Sequence, residues 1–309
     1  MRVAIFAYHD IGYECLDFLI QSGAEIVAVT THEDDPEEEI WFRSVAELSR
    51  RHGLPVYTPD HPNTPDFIEI IRRAAPELIF SFYYRRLLSA ELLALAPCGA
   101  LNLHGSLLPR YRGRAPVNWV LVNGETETGV TLHHMIEKAD AGDIVAQKRV
   151  PIDFEDTALT LYRKLTRAAR ALMEETYPVI INGTAPRIPQ DDRVASKFRG
   201  RRPEDGKIDW RLPAVAIYNL VRAVTHPYPG AFTFYRGQKL FIWQAAVDEI
   251  TATADPGAIL AIDPSGIRVA AADGILIIKR LQLDGTPELP AIDFADQYQL
   301  HTGERLGTL

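Results

Sequence analysis

Short apolar runs alternate with segments of helical periodicity over the first hundred residues. The apolar runs cover residues 2–8, 24–32, 77–84 and 99–104. The segments between them that have a helix-like pattern cover residues 13–22, 40–52 and 66–75. This strand-helix alternation predicts an α/β fold with a mainly parallel sheet covered on both faces. In such sheets a ligand site lies outside the carboxyl ends of the strands.

The pattern changes in the remainder of the chain. Residues 127–135 and 143–153 are two further candidate strands, which pair around a polar turn, and residues 157–181 repeat apolar side chains on one helix face. Residues 187–207 are polar and predict a linker. A helix over residues 214–224 and several short strands separated by Gly and Asp turns follow, which is typical of a small antiparallel barrel. We therefore expect a catalytic domain over residues 1–200 and a smaller domain over residues 201–309.

Composition indicates an ordinary globular protein, because 47% of the 309 residues are hydrophobic and 24% are charged. The apolar run at residues 2–7 is too short for a signal peptide core or a membrane span, so we expect a cytoplasmic protein. Cys15 and Cys98 are the only cysteines, and they form no CxxC pair. We expect both in the core, with no disulfide framework and no metal site.

Charge and glycine usage argue against nucleic-acid binding and against one class of enzyme. The net charge is −8, with 22 basic and 28 acidic residues in 1–200 and 11 basic and 13 acidic residues in 201–309. Neither half has the excess of clustered cations that nucleic-acid binding requires. The first strand is followed by HDIGYE, with the single Gly12, instead of GxGxxG, which argues against a nicotinamide-dependent dehydrogenase.

Asn102 and His104 are the candidate catalytic pair. If residues 99–104 form a strand, both side chains project from the same face. An amide can then donate to a developing oxyanion while an imidazole moves a proton. Asp140, in the polar turn that follows residues 127–135, would orient the His104 ring and stabilise its protonated form. From these residues alone, a hydrogen-bonded structural histidine among ordinary turn formers is an open alternative.

The same segment carries a family resemblance. Its pattern Asn-x-His-x-Ser-x-Leu-Pro, here Asn102 to Pro109, followed by Asp140 in a polar turn, resembles the formyltransferase family that uses 10-formyltetrahydrofolate. The resemblance extends from residue 1 to about residue 306. It implies a Rossmann-like catalytic domain, an open OB-like barrel and a catalytic triad of Asn102, His104 and Asp140. The implied folate contacts are Arg86, Leu87, Leu88, Arg114, Ile136, Glu137, Lys138, Ala139 and Asp140.

Two branches of that family differ in the amine that they formylate. The branch that formylates methionyl-tRNA has a basic loop where this chain has Glu33–Glu39, with six carboxylates in seven residues, which would repel a phosphate backbone. The segments AYHDIG, SFYYRRLL and the DAG turn resemble instead the branch that formylates UDP-4-amino-4-deoxy-L-arabinose for lipid A modification and polymyxin resistance. Other nucleotide-linked amino sugars are alternative acceptors. The decarboxylase domain of the bifunctional enzymes in that branch is absent, so we expect a stand-alone enzyme or an excised domain.

Residues that would hold the sugar nucleotide are less sharply defined. Arg199 and Arg201, in the cationic segment KFRGRR, and also Arg222 are candidates for the diphosphate, with a solvated basic linker as the alternative. Tyr8, Asn118 and Trp119 are candidate sugar contacts, and Trp119 is equally suited to the core. His133 and His134 fall on opposite faces of their strand and receive no role. A folate-binding regulatory protein without transfer chemistry is the alternative from another class.

Overall fold

The computed structural model describes residues 1–34, 39–248, 250 and 254–307. The chain divides into two compact units. The first comprises Met1–Pro116, Glu127–Ile152 and Tyr162–Arg199, and the second comprises Val117–Thr126, Asp153–Leu161 and Gly200–Leu309. This division differs from a single cut after residue 200, because two short segments of the N-terminal part belong to the second unit.

The strands of the first unit are short. They are β1 (Arg2–Ala7), β2 (Glu25–Thr30), β3 (Val56–Tyr57), β4 (Leu78–Phe82), β5 (Ala100–His104), β6 (Arg112–Gly113), β7 (Glu127–His134), β8 (Ile144–Pro151) and β9 (Lys197–Phe198). The helices up to the end of this unit are α1 (His9–Gln21), α2 (Val45–Arg51), α3 (Pro65–Ala74), α4 (Ala90–Leu93), α5 (Pro116–Val122) and α6 (Ala158–Ile181).

Seven strands form one sheet in the order β3-β2-β1-β4-β5-β7-β8. The first five are parallel neighbours, whereas β7 runs antiparallel to both β5 and β8. The predicted mainly parallel α/β sheet is therefore confirmed. The register places Asn102 of β5 between Ser81 of β4 and His133 of β7.

The core of this unit follows from the apolar strands. All five residues of β4 are buried, and Phe80 and Phe82 are completely enclosed. Helix α3 packs its buried side, which includes Phe67 and Ile71, into the same core as Phe6 and Leu92. Burial of such side chains stabilises the sheet by roughly 1.5–3 kcal/mol each.

Helix α1 begins earlier than the sequence pattern indicates, at His9 instead of Tyr13. Gly12 permits this, because a Cβ there would lie 3.1 Å from the Ala7 Cβ and 3.2 Å from the Phe82 carbonyl oxygen. The helix therefore packs directly on the strand ends. Cys15, on its inner face, is buried as expected, and burial raises its pKa. The expectation for Cys98 is wrong, since its side chain is exposed in the turn before β5.

The second unit is built on an antiparallel sheet, as expected. Its further elements are α7 (Ala214–Val224), β10 (Ala231–Tyr235), β11 (Gln238–Asp248), β12 (Ile259–Asp263), β13 (Gly266–Ala270), β14 (Ile275–Leu283), β15 (Leu289–Pro290) and α8 (Ala291–Tyr298). The sheet order is β10-β11-β14-β13-β12, with β15 paired to β14. Among the described residues no pairing joins β10 to β12, so the sheet is open.

The segment assigned to a linker is partly structured. Its strand β9 pairs in parallel with β6, so that Arg112 faces Lys197 and Gly113 faces Phe198. Strands of two residues leave no periodic signal in a sequence, which is why the pattern did not reveal this pairing. Within the ranges that the structure describes, no helix has the length and hydropathy needed to cross a membrane.

Candidate active site

Asn102 and His104 lie in the last three residues of β5, at its carboxyl end. The flanking Leu101 and Leu103 are buried on the opposite face, so the alternation of the strand directs both polar side chains to one side. His104 is buried and Asn102 is half-buried. The predicted pairing of an amide and an imidazole on one face is therefore present.

His133, which received no role from the sequence, lies directly across from Asn102 on β7. Its Nε2 is 3.1 Å from the Asn102 Nδ2, and its Nδ1 is 2.9 Å from the carbonyl oxygen of His134. A carbonyl only accepts, so Nδ1 carries the proton and Nε2 accepts one N–H of the amide. The second N–H of Asn102 is left to donate to a ligand.

The same burial keeps the His133 ring neutral. Removal from water lowers its pKa to about 4, against the smaller opposing effects of the His134 carbonyl and of Asp140. The alternation argument correctly separated His133 from His134, but it could not show that His133 faces Asn102. That fact depends on the register between β5 and β7, for which the sequence offers no direct signal.

Asp140 completes the group. Its Oδ1 is 3.6 Å from the His104 Nδ1 and 3.7 Å from the His133 Nε2, while its Oδ2 accepts a 2.8 Å hydrogen bond from the Gly113 N–H. The His104 Nε2 donates to the Tyr111 carbonyl oxygen at 2.8 Å. The carboxylate therefore faces Nδ1, where it can stabilise a protonated imidazole. The structure brings together the three residues of the predicted triad.

The loop after β5 is fixed by hydrogen bonds to its backbone. The Ser106 hydroxyl donates to the Arg110 carbonyl at 2.7 Å, and the Thr131 hydroxyl donates to the Ser106 carbonyl at 2.6 Å. Gln147 donates to the Leu108 carbonyl at 2.8 Å. These contacts explain why a serine and a polar strand neighbour accompany the Asn-x-His pattern: they hold the loop that carries Tyr111 and Gly113.

The residues implied in folate binding differ in exposure. Leu87 and Ile136 are apolar yet 71% and 48% exposed, so a ligand could cover them. The Leu88 side chain, in contrast, is buried in the core beside Leu92, which leaves its backbone for any contact. Arg86, Arg114, Glu137 and Lys138 are exposed, and Ala139 is half-buried.

Two of the predicted sugar-nucleotide contacts are buried and hydrogen-bonded within the protein. Asn118 is buried, donates to the Ala223 carbonyl at 2.7 Å and is hydrogen-bonded to the Tyr228 hydroxyl. Arg222 is also buried, and its guanidinium donates to Asn219 and to the Asp153 and Asp156 carbonyl oxygens. With these groups engaged in packing, both residues are better suited to stabilising the second unit than to touching a ligand.

The other candidates are placed differently. Tyr8 is buried, and its hydroxyl donates to Asp34 at 2.9 Å. The Arg201 guanidinium lies 4.6 Å over the ring of the half-buried Trp119, and Arg199 is exposed. Of the acidic run, residues 35–38 lie outside the described residues. In the described part of the chain, no group of three His, Cys, Asp or Glu side chains could hold a metal ion.

Family models match both parts of the chain. The sequence matches the model of the formyl transferase family over residues 1–177 and that of the formyl transferase C-terminal domain over residues 201–299. The chain therefore belongs to the formyl transferase family, and it is an enzyme of that class.

Solved structures share the fold. The N-formyltransferase from Helicobacter canadensis, in complex with folinic acid and dTDP-3-aminofucose, is 21% identical, with a TM-score of 0.69 over 89% of this chain and 97% of that chain. HypX from Aquifex aeolicus with tetrahydrofolic acid is 19% identical, with a TM-score of 0.66 over 98% of this chain, which spans only 48% of HypX. Methionyl-tRNA formyltransferase from Clostridium thermocellum is 17% identical, with a TM-score of 0.58 over 88% of this chain and 99% of that chain. The folates in the first two structures agree with the expected folate co-substrate.

Proposed function

We propose that the protein transfers the formyl group of 10-formyltetrahydrofolate to the 4-amine of UDP-4-amino-4-deoxy-L-arabinose, giving UDP-4-deoxy-4-formamido-L-arabinose for lipid A modification. The observation that carries the chemistry is the grouping of Asn102, His104 and Asp140 at the end of β5. The choice of acceptor is supported by the resemblance of the segments AYHDIG and SFYYRRLL, and the acidic run at Glu33–Glu39 argues only against tRNA.

The side chains support an addition-elimination mechanism. The neutral amine attacks the formyl carbon, and the second N–H of Asn102 donates to the oxyanion that forms. Nδ1 of His104, which faces Asp140 at 3.6 Å, is the nitrogen that carries the transferred proton. Breaking the bond between the formyl carbon and N10 of the folate is assisted by proton donation from the imidazolium. The His104 ring then takes up the proton that the attacking nitrogen loses, which regenerates the imidazolium.

Exposed residues are available to bind the folate and the sugar nucleotide. Leu87 and Ile136 provide exposed apolar surface on which a pterin or aminobenzoyl ring can pack. Arg199 and Arg201 supply charge for a diphosphate, since guanidinium groups bind phosphate oxygens in bidentate fashion. The dTDP-sugar in the Helicobacter canadensis structure makes a nucleotide-linked amine a reasonable class of acceptor for a chain of this fold.

The deciding experiment is an incubation of the purified protein with 10-formyltetrahydrofolate and UDP-4-amino-4-deoxy-L-arabinose, followed by mass spectrometry. We expect the sugar nucleotide to gain one formyl group, and we expect this product to disappear with the His104→Ala variant. Turnover of a different nucleotide amino sugar or of methionyl-tRNA would overturn the acceptor and keep the chemistry. Thermal stabilisation by folate without turnover of any of these amines would indicate a binding protein instead.

A further inference from the structure

Gln190 lies in the segment that was assigned to a linker, and its side chain bridges two parts of the active-site loops. Its Nε2 donates to the carbonyl oxygens of Asp140, at 2.9 Å, and Gly142, at 2.7 Å. Its Oε1 accepts from Nε and one terminal nitrogen of Arg112 at 3.1 and 2.7 Å. A guanidinium only donates, so the amide has a single orientation that satisfies both sides.

The backbone that Gln190 holds is in an unusual conformation. Asp140 has a φ of +57°, in the left-handed region that non-glycine residues seldom adopt. Such a residue is strained and persists only where its surroundings determine its conformation. The two hydrogen bonds from Gln190 reach the carbonyl oxygen of Asp140 itself and that of Gly142, two residues further along the turn. Without them the turn can relax, and the carboxylate then moves away from His104.

Arg112, which donates to Gln190, is in turn held by Asp192. Arg112 is buried, and its guanidinium pairs with Asp192 at 2.8 Å. Lys138, within the Asp140 loop, donates to the other oxygen of Asp192 at 3.1 Å. Hydrogen bonds from Arg112 and Lys138 lower the pKa of Asp192, so this carboxylate is ionised at neutral pH. The side chains of Gln190 and Asp192 thus hold the Asp140 loop, Gln190 through the loop backbone and Asp192 through the Lys138 side chain.

We propose that Gln190 is a positioning residue for the catalytic site: it fixes the Asp140 turn so that the carboxylate faces His104. The part of this inference that concerns rate rests on the proposed function. The part that concerns geometry does not, because it can be measured in the protein without substrates.

The kinetic test uses Gln190→Met, which keeps the volume but loses all four hydrogen bonds, and Gln190→Glu, which keeps only the acceptor for Arg112. We expect kcat to fall by about 10- to 100-fold in both, since small displacements of a catalytic group have effects of this size. KM for the acceptor should not change. In an Asp140→Asn background Gln190→Met should cause little further loss, because both act through one carboxylate. Independent, multiplicative losses would overturn the proposal.

The geometric test measures amide hydrogen exchange by NMR at two neighbouring residues. The Gly113 N–H donates to the Asp140 carboxylate, whereas the Arg114 N–H donates to the Phe198 carbonyl at 3.1 Å. In Gln190→Met we expect faster exchange at Gly113 and unchanged exchange at Arg114. No change at Gly113 would overturn the proposal. Equal loss of protection at both amides would also overturn it, because it would indicate a general structural role for Gln190.

Two further variants keep the test decisive. Asp191→Asn is the matched control, because the Asp191 side chain bonds only to Arg193 beside it among the hydrogen bonds described, and it should change neither kcat nor the Gly113 amide. If Gln190→Met does not fold, Asp192→Asn replaces it, since that side chain is 64% exposed. Asp192→Asn removes the ion pair that holds Arg112. It should therefore increase exchange at Gly113 but not at Arg114, and by less than Gln190→Met does. A folded Asp192→Asn protein with unchanged exchange at Gly113 would then count against the proposal.

Discussion

At the level of single residues, the site depends on one amide and one imidazole that act on different atoms. Replacing Asn102 or His104 by alanine should reduce kcat by about 100- to 1000-fold or more, since loss of one oxyanion donor costs about 2.7–4 kcal/mol. Both variants should remain folded, because each loses one hydrogen bond, to His133 or to Tyr111, and no large apolar contact. Steady-state kinetics together with thermal denaturation check this. Turnover near the wild-type rate in either variant would contradict the assignment of the triad.

His133 makes a second residue-level prediction, on stability against pH. Its folded-state pKa is about 4, below the ordinary value of 6.5, because of burial. Between these values the unfolded chain binds a proton that the folded protein does not, so stability falls as the pH falls from about 6.5 to about 4. The contribution of this residue is roughly 2 kcal/mol between pH 7 and pH 5. Urea unfolding at both pH values should show a correspondingly smaller loss for His133→Gln, and an equal loss in both proteins would refute the prediction.

At the level of elements, the close contact of α1 with β1 and β4 explains why position 12, near the start of the helix, is a glycine. Gly12→Ala should destabilise the protein by about 1–2 kcal/mol, because overpacking against strand backbone outweighs the gain in helix propensity. Denaturant unfolding measures this. The double variant Ala7→Gly with Gly12→Ala removes the 3.1 Å contact between the two Cβ atoms and should recover part of the loss. An increase in stability with Gly12→Ala alone would show that the helix can shift.

The elements also show where sequence patterns stop being informative. The strands β1, β2, β4 and β5 were predicted within two residues at each end, because buried strands of a parallel sheet are continuous apolar runs. Strands β3, β6 and β9 have only two residues each and were missed. Helix α2 begins at Val45 instead of residue 40, because Ser44 caps it by accepting from the Glu47 N–H at 3.2 Å. Capping is a local interaction that a search for apolar periodicity overlooks.

At the level of the whole molecule, the order of secondary structure was predictable but the contacts across it were not. Alternation along the chain predicts a parallel sheet and its active edge, and the spacing of Asn102 and His104 predicts their common face. The placement of Asp140 rested on its polar turn together with the resemblance to a family. His133 and Gln190 are 31 and 50 positions away from the residues that they contact, Asn102 and Asp140. Such pairs depend on strand register and on loop packing, which no local pattern encodes.

The electrostatics of the whole chain bear on the acceptor. The net charge is −8, and many arginines of the described residues are paired with carboxylates. Arg43 pairs with Asp10 and Glu14, and Arg170 pairs with Glu14 and Asp17. Cations engaged in this way release few counterions from a nucleic acid, and that release drives most non-specific binding.

We therefore expect no complex with initiator methionyl-tRNA at micromolar protein and about 150 mM salt, where a basic nucleic-acid-binding surface would give measurable affinity. Filter binding across a salt series measures this directly, and excess tRNA added to the sugar-nucleotide reaction should leave its rate unchanged. Affinity that falls steeply with salt would reveal a cationic surface formed in spite of the net charge. Combined with formylation of the charged tRNA, that result would transfer the same triad chemistry to a different acceptor. Weak binding without a salt dependence would not change the acceptor, because contact with a polyanion must release counterions.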